Sequence, residues 1–478
     1  MNAVLRIAAA EWQYWLRSRL LLAALGVFAL LLAATTVLSA ARIGAEQAQR
    51  LDQQRAAESA FAAQPDRHPH RMVHYGHYVF RAPPPLAVFD PGIDGVAGQA
   101  LFLEGHRQNS AGFAQAPAAA ATGGFGVPSP ALVYQILLPL LLIALGHAAL
   151  ARERESGTLA PLLAQGTRGS TLLLGKSVAL GATAGLALLP AAALAAVAVG
   201  HGESAMIAIA HCLLHAAYLG TWVLLVLLAA AVLPRRAEVL GALLLAWIAI
   251  ALVLPRLAAS HAAVEAPAGG KIAADIALLA ALRDGGDGHN AADPAFDTLR
   301  ARLLSEHGVT RVEDLPVNFR GVVATVAEAR LTEQLNAAAG RRMAQERAQS
   351  SLLALHAWAS PALATGLASR ALAGTDLLAQ QRFLQEAEAL RFEFVQALNQ
   401  VHATRLRYAD DIRRSSDVDA ERRTRVDAGH WQVLREFRFA PAPAPQRAAA
   451  AQPHATALIA WLMVLLLATR WAAARIRP

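Results

Sequence analysis

Six stretches of the chain stay apolar for longer than the core helix of a soluble domain requires: Leu20 to Ala41, Pro130 to Leu150, Ser177 to Val199, Met206 to Leu233, Val239 to Ala258 and Ala455 to Trp471. Each is bounded by charge, proline or glycine. At about 1.5 Å per residue the first reaches about 33 Å, enough to cross a hydrocarbon layer of about 30 Å. The pattern predicts an all-α polytopic membrane protein with about six transmembrane helices. Between the spans the periodicity changes. From Asp376 to Arg414, Leu384, Ala387, Leu390, Phe394, Leu398 and Val401 recur at steps of three and four, and Val323, Ala327, Leu331, Leu335 and Ala338 repeat the rhythm. Two long amphipathic helices packed together are expected, forming a large helical extracytoplasmic domain between the fifth and sixth spans.

These elements divide the chain into an amphipathic N-terminal helix at 1–19, a span at 20–41, a first outer region at 42–129 and four spans at 130–258 that enclose a loop at 151–176. A helical outer domain at 259–454 and a last span with a basic tail at 455–478 complete it. The Pro/Ala run from Ala440 to Pro453 reads as a stiff extended linker into that span. Ser39, Ala40 and Ala41 would suit a signal peptidase, but the apolar run is long and its lead-in carries Glu11, so a retained anchor is expected. Arg6, Arg17, Arg19, Arg152, Arg154, Arg168, Lys176, Arg235, Arg236, Arg470, Arg475 and Arg477 all fall in the short connections or tails of one side. That side is assigned to the cytosol, with both termini, in a multi-pass protein of a bacterial inner membrane. Pro139, Pro190 and Pro255 each remove a backbone donor inside a span and predict kinks.

Composition agrees with this layout. Apolar residues make up 55% of the 478 and charged residues 16%, too few charges to coat a soluble protein of this length. The formal charge of +8 does not point to nucleic acid, because the basic residues flank apolar runs instead of forming a stripe with exposed aromatics. One cysteine, Cys212, leaves no intrachain disulfide to staple the outer domain.

Candidate chemistry is sparse. Gly169 to Ser177 (GSTLLLGKS) imitates a phosphate loop but is one residue too long, with Ser170 where glycine is required, so Lys176 reads as a snorkelling lysine at the inner end of a span. His68, His70, His74 and His77 are weak candidates for a metal site, because no cysteine or nearby carboxylate completes four ligands. His211, His215 and Tyr218 share one face of the fourth span and are expected to face the bundle interior, as an intramembrane polar or substrate site. Asp410 with Asp411, and Glu386 with Glu388, read as solvated helical surface. No nucleophile elbow or HExxH is present, so a transport subunit is expected and an enzyme is not.

The loop from Arg152 to Lys176 reads RERESGTLAPLLAQGTRGSTLLLGK and resembles the corresponding loop of type-two ABC exporter permeases. Glu153, Glu155, Gly157, Thr158 and Leu159 match that family's E-x-E-x-G-T-L stretch, and Leu174, Gly175 and Lys176 match its L-G-K. Proline and arginine often follow the leucines in the family, where this chain has Gln165-Gly166-Thr167-Arg168. Two further segments, His68 to Asn109 and Leu372 to Asn399, look like those of a subgroup with a large periplasmic domain of unknown function. The resemblance implies that Arg152, Glu153, Arg154, Glu155, Gly157, Thr158, Leu159, Leu162 and Leu163 dock on a separate ABC ATPase, with the leucines as apolar knobs and the charges setting register. It also implies ATP and Mg bound by that partner, no cofactor in this chain, and a homodimer or a heterodimer with a sister permease. The rival expectation is a mechanotransmitter that conducts nothing and relays ATPase motion to its outer domain.

Overall fold

A computed structural model of the protein describes residues 3–112, 128–267, 275–276, 278–279 and 290–476. The parts of the two expected outer regions at 113–127, 268–274, 277 and 280–289, with Lys271, and the end of the basic tail at Arg477 lie outside the described residues. The chain opens with α1 (Ala3–Arg17), whose Ala8, Glu11 and Trp15 lie at helical spacing and are buried. Arg19, at φ 58°, turns it into α2 (Leu20–Ala62). Then come α3 (Pro69–Tyr75), the strands β1 (His77–Phe80) and β2 (Ala100–Leu103), and α4 (Pro130–Glu155). The short α5 (Leu159–Ala164) leads to α6 (Gly169–Gly200), α7 (Ala205–Val232) and α8 (Arg236–Glu265). After α9 (Asp297–Glu306) come the long α10 (Phe319–Leu355), α11 (Pro361–Ala373) and α12 (Leu377–Arg405). The chain closes with α13 (Tyr408–Arg413), α14 (Val418–Arg423) and α15 (Ala444–Ala474).

Six helices, α2, α4, α6, α7, α8 and α15, are long and apolar enough to span a membrane, as the hydropathy pattern predicts. Their ends differ from the expected ones. α2 runs 43 residues, because nothing between Arg42 and Ala62 breaks a helix once the apolar part ends. The Pro/Ala run is helical from Ala444 onward instead of extended, since Pro445 falls in the first turn and alanine is the best helix former. α7 is the central post, packed against α4, α6, α11 and α15.

The prolines mark real defects, and tyrosines repair two of them. A π-type turn at Val133–Leu137 precedes Pro139, and another at Ile248–Val253 precedes Pro255. Gln135 O, which a proline at 139 cannot bond, accepts from Tyr218 OH at 2.6 Å. At Pro190, Tyr134 OH donates to Ala187 O at 2.6 Å and accepts from Ala191 N at 3.1 Å, bridging the turn of α6 that the proline interrupts.

The polar domain is built as its periodicity predicts, on α10 packed against α12, with Phe383, Ala387, Phe394 and Leu398 buried. Against this pair lie the far end of α2 through Phe61, helix α3 and a two-stranded antiparallel sheet in the register His77 with Leu103. A second small core gathers Phe296, Leu299, Phe319 and Val323. One element joins domain and bundle. α11 follows α10 directly, yet ten of its thirteen residues are buried among α7, α8 and α15. A 3-10 turn at Pro85–Val88 seats Leu86 and Phe89 in the same bundle core.

Candidate functional site

Both termini and the 151–176 loop share one end of the bundle: Gly169 lies against Ala473 and Ile476, and Gly175 against Ile7. The His201–Ser204 turn and the polar domain occupy the other, where Arg447 of α15 forks onto Glu203 with both contacts at 2.9 Å. Arg447 also donates from Nε to Leu372 O at the end of α11, at 2.8 Å.

At the loop end each charge of the RERE stretch finds a fixed partner. Arg152 reaches Glu11 at 2.5 Å and Glu153 at 3.1 Å, and Lys176 bonds both Glu11 and Glu153. Arg154 donates to Ala230 O, Ala231 O and Leu233 O, the orphan carbonyls that end α7. Glu155 accepts from Arg236 N at 2.8 Å and pairs with the Arg236 side chain, capping α8. The loop then turns at Gly157, φ +71°, with open space where a Cβ would be.

The exposed tip runs from Glu155 through Thr158, with Ala160 and Pro161 beyond it. Leu159, expected as an outward knob, is only 5% exposed and packs into the bundle core. Its helix needs an apolar anchor, and Leu159 supplies it. Leu162 and Leu163 are half-buried. Lys176 is 1% exposed and does not snorkel, because two carboxylates neutralise it in place. The segment resembling a phosphate loop is the helical start of α6 and forms no loop.

His211, His215 and Tyr218 are buried on one face of α7, as expected. They are already engaged. His211 Nε2 lies 3.2 Å from Ser369 Oγ of α11, and Ser369 donates to Asp90 Oδ2 at 2.5 Å. His215 Nδ1 bonds His211 O at 2.9 Å, and both rings pack on Phe89. The arrangement pins α11 and the Phe89 turn onto α7.

The four histidines between His68 and His77 do not converge on one point. His68 and His402 bond the two oxygens of Asp411, at 3.1 and 2.8 Å, and all three are buried. Asp411 is therefore no solvated surface group; α13 turns it inward. Burial alone would raise its carboxyl, but hydrogen bonds from His402 and His68 outweigh that and hold it far below the usual range. Burial pushes His68 down to about 4. His70 and His74 instead face His106, and His77 packs alone of the four on Phe61 with ring centroids 4.9 Å apart. Another buried charge, Arg81, bonds Asp94 at 2.7 Å, Gly374 O and Gln380, and burial still pushes Asp94 up to about 6. A cavity of about 800 Å³ opens in the polar domain between α10, α12 and the β2 turn, lined by Phe102, Asn109, Asn336, Met343, Gln381 and Glu388 among others.

His106, Glu328 and Arg447 were not singled out from the sequence, while Glu11 was read only as a mark against a cleaved leader and Arg236 only as one of the basic residues that set the orientation. Glu11 carried a signal: it lies on the apolar stripe of α1, where a lone acid needs a partner. No local signal marks the others.

A family profile described as ABC-2 family transporter protein matches residues 5–281. A second, described as a domain of unknown function (DUF3526), matches 271–440, which contains α10, α11 and α12. No curated protein matches the chain. More than half of the sequence falls in the first match, including five of the six spans and the stapled loop, and the chain belongs to the ABC-2 family of transporter proteins.

Proposed function

We propose that the chain is the permease subunit of an ATP-driven exporter that moves its substrate across a bacterial inner membrane, ATP and Mg being bound by a separate ABC ATPase. In this reading the loop end and both termini face the cytosol and the polar domain lies outside, which the arginines and Lys176 clustered at the loop end support. Two permease subunits, identical or sisters, flank the pathway.

The observation that carries the reading is how the loop is tied. Its exposed tip is linked by charge-assisted bonds through Arg152 to α1, through Arg154 to α7 and through Glu155 to α8, while Lys176 ties in α6. Pressure from a closing ATPase pair would therefore tilt four helices together instead of being absorbed in the loop. Leu162 and Leu163 supply the apolar contact, and Leu159 anchors them from inside.

The double variant Glu155→Ala, Gly157→Val tests this. Valine at φ +71° is strained in an open position, so the tip deforms while the bundle core is untouched. The variant is expected to insert into membranes at wild-type level and to lose complex formation with its co-expressed ABC ATPase. Undiminished complex formation would remove the loop from this role.

The mechanotransmitter reading keeps one specific support, α11, which belongs to the polar domain by sequence and to the bundle by packing. ATP-driven uptake into inverted vesicles favours the exporter. ATP-dependent movement of the polar domain without any flux favours the relay.

A further inference from the structure

Two clusters bring three potential metal ligands together among the described residues. In the first, His68, His402 and Asp411, the carboxylate already accepts from Asn318 at 3.2 Å and faces the Arg414 guanidinium at 3.3 Å. His68 Nδ1 accepts from His70 N, so its Nε2 carries the proton it gives Asp411. A cation has no place there. That cluster is a structural knot tying the start of α3 to α12 and α13.

The second has the opposite character. His70 and His74 lie one turn apart on α3, with their Nε2 atoms 3.2 Å from each other. The third ring, His106, comes from the turn after β2, and one ligand atom from each of the three lies within 4.8 Å of the others. The turn is built to deliver His106. Gly105 N donates to Val73 O at 3.0 Å, and a Cβ at Gly105 would meet Val73 Cγ1 at 2.1 Å, so only glycine allows the approach. His106 itself sits at φ +65°, one of two non-glycine residues with positive φ among those described. Such strain persists where surrounding structure imposes it.

The surrounding structure here is Glu328 of α10. It is fully buried, and its Oε2 lies 2.8 Å from His106 Nδ1. Arg391, itself buried, bonds Glu328 at 2.6 Å and Thr332 at 2.8 Å, which fixes the carboxylate. A carboxylate that accepts the Nδ1 proton of an imidazole sets its tautomer and makes Nε2 the ligand atom, the arrangement behind most metal-bound histidines. Two histidines at i and i+4 on one helical face are the usual way to present two such ligands.

We propose that His70, His74 and His106 form a three-imidazole site for a divalent transition ion of the zinc class, oriented by Glu328. Nitrogens at the observed separations need only side-chain rotation to reach about 2.0–2.1 Å from a common ion. His74 is exposed, so the fourth position opens to solvent. The bound ion clips α3 to the β2 turn and, through Glu328, to α10.

The test is Zn2+ titration of the full-length protein, purified in detergent without a histidine tag and stripped with chelator, in competition with a chromogenic chelator. One zinc per chain is expected, together with a Co2+ visible spectrum typical of tetrahedral nitrogen ligation. His74→Ala and His106→Ala should each weaken binding at least tenfold, and Glu328→Gln should weaken it about 10- to 100-fold. His402→Ala, in the other cluster, should leave binding unchanged. Because His74 is exposed, its variant keeps the fold, so wild-type affinity in His74→Ala would overturn the proposal. Loss of the zinc in His402→Ala with retention in His106→Ala would overturn it equally.

Discussion

Lys176 shows how far a single residue's neighbourhood can be read from its place in the chain. Its position at the edge of an apolar run suggests a side chain reaching for water, yet it is buried between Glu11, 165 residues earlier, and Glu153. Hydropathy carries no information about a partner that distant. The same blindness turned Asp411 into apparent surface, because charge density on a helix does not reveal which carboxylate meets His68 and His402. Removing Lys176 leaves two carboxylates, Glu11 and Glu153, to share Arg152 as their one remaining cation partner. Lys176→Met is expected to cost about 3 kcal/mol, measured as a lower unfolding temperature in detergent. Adding Glu11→Gln should restore most of that loss, and an equal loss in single and double variants would show that charge is not the cause.

His77 makes a separate prediction about pH. Burial against Phe61 pushes it down to about 4, with Glu58 opposing. Between pH 6.5 and 4 the unfolded chain therefore takes up a proton that the folded one refuses. The histidine's contribution is intact above pH 6.5 and is lost as pH falls through that window. His77→Phe should gain stability relative to wild type by about 3 kcal/mol by pH 4, with no change in that difference above pH 7. A difference that stays flat from pH 7 to pH 4 in paired thermal melts would contradict this.

At the scale of elements, the spans were legible because twenty apolar residues have few other places to go. Their ends were not. α2 continues past Ala41 and α15 begins at Ala444 because alanine-rich polar sequence stays helical once a span has nucleated it. α11 went unread altogether: at thirteen residues it is too short to cross a membrane, and small side chains carry little hydropathy. Its role emerges only from packing. The Ala and Ser faces of α11 let α7 and α15 approach closely, and Arg447 locks its end by bonding Leu372 O and Glu203. Arg447→Ala strands the buried Glu203 and is expected to cost about 3–5 kcal/mol. It should also speed proteolysis between α10 and α12 while leaving the α10 and α12 pair folded. Unchanged cleavage there would show that α11 is held by apolar packing alone.

Over the whole molecule, a stapled loop lies at one end of the bundle and a helical domain at the other, with α15 running between them and α11 set into the bundle from the domain end. The amphipathic rhythm of α10 and α12 predicted that domain's core, and the arginine and lysine pattern grouped the termini with the loop. What the pattern could not supply is the joint, since Glu203, Arg447 and Arg81 reach partners across the chain. The central claim is that loop and domain stand on opposite sides of a membrane, with the loop in the cytosol. Single cysteines at the exposed positions Ala160 and Ala301, in a chain carrying Cys212→Ser, test it most directly with a membrane-impermeant maleimide on intact spheroplasts. The account predicts that Ala301→Cys is labelled at once and Ala160→Cys only after the membrane is opened; labelling of Ala160→Cys in intact spheroplasts, or protection of Ala301→Cys, would contradict it.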